Sequence, residues 1–102
     1  MIDLRPAKEL LSYRTRQNQK VNQLPVNLNE SKAHFLKKYD ICRRLRFEGK
    51  NFYAEAIFKN KKRADIFVLE ECTAYEIAES ETEESLIKKQ EDYPCKVIVI
   101  RA

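Results

Sequence analysis

Apolar positions along the chain follow two different periods, and the change falls at Gly49. Ahead of it, after a capping Asn29-Glu30-Ser31, the residues Phe35, Tyr39 and Cys42, flanked by Leu36, Ile41 and Leu45, recur at helical spacing. This pattern predicts one amphipathic helix ending near Gly49, the single glycine and a natural C-cap. Beyond Gly49 the period drops to two, and three short segments rich in β-branched and aromatic residues follow: Asn51 to Phe58, Ala64 to Leu69 and Ala74 to Glu79. They read as strands joined by polar hairpin turns at Lys59 to Lys62 and Glu70 to Thr73. Thr82 to Asp92 is helical with Leu86 and Ile87 inward, Pro94 stops it, and Lys96 to Ile100 reads as a strand buried on both faces. The predicted order is α-β-β-β-α-β, and the final strand-helix-strand step implies a right-handed crossover with parallel pairing. Upstream, Ala7 to Val21 suits a basic helix, and Asn22 to Asn29, with Pro25, suits a polar connection. Residues 1–29 therefore read as a basic N-terminal helix or arm, and residues 30–102 as the core.

Composition narrows the class. A chain of 102 residues, 43% of them hydrophobic, suits one α/β domain. No apolar run approaches the ~20 residues of a membrane helix, and the N-terminus lacks the basic-then-apolar order of a signal peptide. The expectation is an intracellular, cytoplasmic protein with no membrane contact. Cys42, Cys72 and Cys95 are odd in number and form no C-x-x-C pair, so neither a disulfide framework nor a zinc ribbon is indicated, and they read as small buried hydrophobes. Charge is uneven: residues 1–63 carry 16 Lys or Arg against 6 Asp or Glu, and residues 64–102 carry 4 against 10. Cations that grip phosphates beside carboxylates that hold a divalent metal suit a nuclease, whereas two solvated faces are the plain alternative.

The informative residues are carboxylates inside otherwise apolar strands. Asp65 precedes Ile66-Phe67-Val68-Leu69, Glu76 sits between Tyr75 and Ile77, and Glu55 lies within Phe52 to Phe58. An unpaired buried carboxylate is costly enough to be neutralised, paired or bound to metal. Three in adjacent strands suggest a shared site for Mg²⁺ or Mn²⁺, hard cations that activate water and stabilise charge developing on phosphate. Pairing with nearby lysines at strand edges is the structural alternative.

Arg63-Ala64-Asp65, ten intervening residues, then Glu76-Ile77-Ala78-Glu79-Ser80 resembles the PD-(D/E)XK signature of the restriction-endonuclease-like nucleases. The α-β-β-β-α-β order is also that superfamily's core. Glu30 to His34, Lys38, Glu55, Asp65, Glu76-Ile77, Ser80, Lys89 and Tyr93-Pro94 are together similar to the competence protein CoiA-like nucleases, with the archaeal Holliday-junction resolvases a neighbouring analogy. The resemblance implies Asp65, Glu76 and the backbone of Ile77 as metal ligands, with Glu55 or His34 auxiliary. His34, the only histidine, shares a helix line with Ile41 and Leu45 and either points toward the strand carboxylates or is a structural, hydrogen-bonded histidine. Lys61, Lys62 and Arg63, in the turn before Asp65, are candidate phosphate contacts or a solvated hairpin, and Arg43 and Arg44 on the first long helix are further nucleic-acid candidates. A homodimer is the expectation for a small nuclease of this kind.

The departure is Ala78, which falls where the family places its catalytic lysine. Strand alternation puts Glu76, Ala78 and Ser80 on one face and Glu79 on the other, so Glu79 does not substitute without a bulge. Lys88 or Lys89 on the following helix would supply the ammonium from a different backbone position. Otherwise alanine stands in for a native lysine, or the chain is a non-cleaving relative that keeps a nucleic-acid surface. An Mg²⁺- or Mn²⁺-dependent endonuclease acting on DNA and a nuclease-fold binding or assembly module both remain open at this point. A structural α/β interaction protein is a third class.

Overall fold

A computed structural model describes residues 2–102. The strands form where the period-two pattern places them: β1 (Phe52–Ile57), β2 (Arg63–Val68) and β3 (Thr73–Ala78) follow one another, and β4 (Lys96–Arg101) closes the chain. They make one four-stranded mixed sheet in the order β1-β2-β3-β4, antiparallel except for the parallel β3–β4 pair. Neither hairpin turn contains glycine, so Lys61 (φ 71°) and Cys72 (φ 47°) take the left-handed conformation that such tight turns demand.

Four helices flank this sheet. They are α1 (Arg5–Glu9), α2 (Tyr13–Asn18), α3 (Lys32–Phe47) and α4 (Glu83–Asp92). On one face, Ile41, Cys42 and Leu45 of α3 pack against Phe52, Ala54, Ile66, Val68, Tyr75 and Ile77. On the other, Ala7 and Leu11 join Tyr53, Phe58, Phe67 and Ala74, with Tyr93, Cys95 and Val97 packed alongside. The result is an α/β fold with helices on both sides of a mixed sheet, and no helix among the described residues is long and apolar enough to cross a membrane.

Ile87, expected inward on α4, is exposed, and three further expectations change. The single helix over Ala7 to Val21 is two short ones, because Leu11 leaves the helix to bridge Phe58 and Ser12 starts a new one by accepting the Thr15 N–H. This segment lies along the outer edge of β1: Ser12 N–H meets the Ile57 carbonyl, Asn22 bonds both ways with Phe52, and Gln19 donates to the Ala54 and Glu55 carbonyls. Second, β4 is an edge strand and only half-buried, with Val97 packed on one face of the sheet and Ile98 and Ile100 on the other. Third, the inward stripe of α3 is rotated: Lys38, Ile41, Cys42 and Leu45 are buried, whereas Leu36 and Tyr39 face outward.

The start of α3 is fixed at both ends of one serine. Ser31 Oγ accepts the His34 N–H at 3.1 Å and donates to Glu79 Oε1 at 2.6 Å, tying the helix N-terminus to the end of β3. Ser31→Ala is expected to remove about 1 kcal/mol of stability. In thermal unfolding this corresponds to a drop of roughly 4–8 °C in Tm for a domain of this size. An unchanged Tm would show that the cap contributes nothing.

Candidate functional site

The regular ladders give way where the strand carboxylates lie. Pairing of β2 with β3 runs from Val68–Thr73 to Ile66–Tyr75 and stops there. On the β1 side, Glu55 takes a positive φ of 53° between the paired Ala54 and Ala56. Asp65 and Glu76 fill the opening with side-chain bonds. Asp65 Oδ2 accepts the Ile77 N–H at 2.8 Å, and Asp65 N–H points at Glu76 Oε1 at 3.4 Å. The expected Asp65–Glu76 pair is thus brought together, with Ile77 contributing its amide to Asp65.

Glu76 is almost fully buried, and its surroundings resist ionisation. Burial, followed by the neighbouring Asp65 charge, pushes its pKa up to about 7. The Tyr93 hydroxyl contacts both Glu76 Oε1 and the Arg63 carbonyl. One phenolic proton cannot serve two acceptors. With Glu76 protonated, the carboxyl donates to the phenol, the phenol donates to Arg63, and every group is satisfied. Tyr93 is itself held well above its usual range by burial and by Glu76, so it stays a donor.

From the helix side, α3 delivers a charged stripe spaced one turn apart. His34 Nδ1 lies 2.6 Å from Glu30 Oε2, and its Nε2 lies 3.5 Å from Asp65 Oδ2. Burial works to raise the pKa of Glu30, but hydrogen bonds from Lys38 and His34 outweigh it and leave the group below its ordinary value. Glu30 is therefore an acceptor for the His34 Nδ1–H, and the Nε2 edge of the ring faces Asp65. Lys38, fully buried, donates to Glu30 Oε2 at 2.9 Å and to Glu55 Oε1 at 3.1 Å. Glu55 is thereby held in an ion pair with Lys38 through Oε1.

The remaining candidates divide by position. Lys61, Lys62 and Arg63 are exposed in the turn leading into Asp65, with Lys62 only loosely held by Asp92 at 3.6 Å. Lys88 is exposed, and Lys89 sits 3.8 Å from Glu81, its charge being the smallest influence on Glu76. Arg43 and Arg44 lie at the other end of α3, about 13 Å along the axis from His34 at 1.5 Å per residue. Arg43 covers the Phe47 ring there. Glu30, Lys38 and Tyr93 had no assigned chemistry in the sequence; the signal for the first two is their i, i+4, i+8 register with His34.

One observation fits a cation at this site: Glu76 is buried against the Asp65 carboxylate, two acidic groups with no lysine or arginine among the described residues hydrogen-bonded to either. Among those residues, no three His, Cys, Asp or Glu side chains converge as a ready-made cage. A metal here would rest on Asp65 and Glu76 and complete its shell with water and backbone oxygens, as Mg²⁺ commonly does. Comparison with protein families, with curated proteins and with solved structures found no match.

Proposed function

We propose that this chain is a divalent-metal-dependent phosphodiesterase acting on nucleic acid, with DNA the first substrate to test, on a restriction-endonuclease-like core. The observation that carries the reading is the Asp65–Glu76 pair in the opening of the sheet, where burial and mutual repulsion leave Glu76 short of a positive partner. Mg²⁺ or Mn²⁺ on this pair would supply an activated water and offset charge developing on the phosphate. The Ile77 N–H orients Asp65, and Tyr93 orients Glu76. His34, its Nδ1 proton fixed by Glu30, is placed to take a proton beside Asp65, the part that Ala78 leaves unfilled. The exposed Lys61, Lys62 and Arg63 meet phosphates flanking the reacting one. Lys38 and Glu55 hold β1 and α3 at the distance this arrangement needs.

One observation favours a second reading, a nuclease-fold module that binds nucleic acid without cleaving it: Ala78 is buried opposite Arg101 of β4 and offers no charge. Calorimetric titration of Mn²⁺ separates the two when run beside cleavage of labelled single-stranded, duplex and four-way-junction DNA. Under the enzyme reading Asp65→Asn loses both metal binding and cleavage, while His34→Ala keeps the metal and cleaves about 100-fold more slowly or worse. Metal binding without cleavage by the native chain selects the second reading. No metal binding at all overturns the catalytic one.

A further inference from the structure

At the far end of α3 from the carboxylates, a cleft of about 430 Å³ opens between that helix and the segment before it. Its floor is apolar, made by Leu24, Cys42 and Phe52, and its rim carries Tyr39, Arg43, Arg46 and Phe47. These rim residues are poor choices for a helix face turned to water. Phe47 is 77% exposed and Tyr39 48% exposed, each one turn from Arg43 on a single stripe. Arg43 already lies over the Phe47 ring, 5.3 Å from its centroid, and Arg46 is fixed by the Lys50 carbonyl and Asn51. Leu24 is shared with an adjoining polar cavity of about 590 Å³, lined by Asn18, Gln19, Lys20 and Gln23 and reaching Ala54, the neighbour of Glu55. In a chain with 16 Asp and Glu, neither cavity is lined by a single acidic residue.

We infer that this double cleft holds an unpaired stretch of a nucleic-acid strand, with bases stacked on Phe47 and Tyr39 and the backbone against Arg43, Arg46 and Lys20. Aromatic faces bind any base, guanidinium groups stack on bases and meet phosphates, and the absence of carboxylates along both cavities matches a polyanion. A protein partner would also accept the apolar floor, but it has no need of two arginines on an acid-free rim. The inference deepens the nuclease reading by naming where a single strand is gripped, away from the reacting carboxylates.

The test is fluorescence anisotropy of the full chain with a labelled oligothymidylate and with a duplex of equal length, in chelator so that cleavage does not intrude. Phe47→Ala and Arg43→Ala are each expected to weaken single-strand binding about five- to hundredfold, with Phe47→Trp restoring it. Ile87→Ala, an exposed apolar residue on α4, is expected to leave it unchanged. Because Phe47 is so exposed, its loss leaves the thermal unfolding curve in place. Native affinity in Phe47→Ala and Arg43→Ala overturns the inference, as does a native chain that ignores the single strand. Light scattering that shows Phe47→Ala turning a dimer into a monomer, with DNA affinity intact, would make the face a self-association surface instead. The two readings fail separately: DNA cleavage lost in Asp65→Asn with native cleft behaviour speaks to the carboxylates, and weakened binding in Phe47→Ala in a chain that never cleaves leaves the cleft standing alone.

Discussion

Lys38→Met is expected to destabilise the fold by about 3–5 kcal/mol, because methionine fills the volume but leaves Glu30 and Glu55 without their shared cation. For a domain of this size that corresponds to a fall in Tm of more than about 10 °C. Burial by itself would lower the pKa of Lys38, yet hydrogen bonds and charges from Glu30 and Glu55 carry it above its ordinary 10.5. A raised lysine contributes stability that is fully present below pH 10.5 and is lost as pH climbs through the folded value. Glu30 works in the opposite sense: lowered from 4.5, it contributes above that pH and loses its contribution as pH falls toward the folded value. Lys38 and Glu30 are therefore both charged across the neutral range, where the loss in Lys38→Met should be greatest. Adding Glu30→Gln and Glu55→Gln to Lys38→Met should recover much of the lost Tm, since the penalty comes from stranded carboxylates. A single variant that melts within about 2 °C of the native chain would show that the three groups are not a buried unit.

Much of the architecture is legible in the chain because local signals agree. The period-two runs, the Thr82 cap and Pro94 place β1 to β3 and α4 within a residue or two, and the parallel β4 follows from the strand-helix-strand order. Residues 1–29 are harder to read, because what divides α1 from α2 is a long-range pairing of Leu11 with Phe58 and not a glycine or proline. Nor does the sequence tell that β4 is an edge. A Val-Ile run looks the same in the middle of a sheet and at its rim, and only the strand order decides.

The site divides in the same way. Asp65 and Glu76 are visible as charges interrupting apolar strands, and the opening between β2 and β3 brings them within one contact of each other. Glu55 is equally visible, but its partner is not. A pattern that turns charged residues outward assigns Lys38 to water, whereas Glu30 and Glu55 supply enough opposite charge to bring it fully inside. Once Lys38 is buried, the inward stripe of α3 rotates, His34 turns toward Asp65, and Tyr39 swings out to the Arg43–Phe47 cleft. The burial of one lysine thus sets which residues α3 presents at both of its ends. Tyr93 was beyond reach for a different reason, since its hydroxyl meets β2 and β3 only after α4 has crossed the sheet.

Glu76→Gln is expected to stabilise the metal-free protein at neutral and alkaline pH while weakening any metal bound there. The pKa of Glu76 is raised from 4.5 to about 7, so the folded state holds its proton more tightly than the unfolded chain does. The linkage sign follows directly: stability from this group is greatest below pH 4.5, declines as pH rises between 4.5 and about 7, and is lowest above that. The full span is on the order of 3 kcal/mol. Glutamine can turn an amide N–H to the Tyr93 oxygen, as the protonated carboxyl donates there, and carries no charge to desolvate, so the variant should match the native chain near pH 4.5 and unfold at higher denaturant above pH 7. Denaturant unfolding at the two pH values, in chelator, reads the difference. A variant less stable than the native chain above pH 7 would mean that the Glu76 charge is already compensated inside the protein. With that charge compensated, the site would have no electrostatic demand for a cation. If instead the native protein gains on the variant when Mn²⁺ is added above pH 7, the same carboxylate that weakens the empty fold is the one that the metal repays.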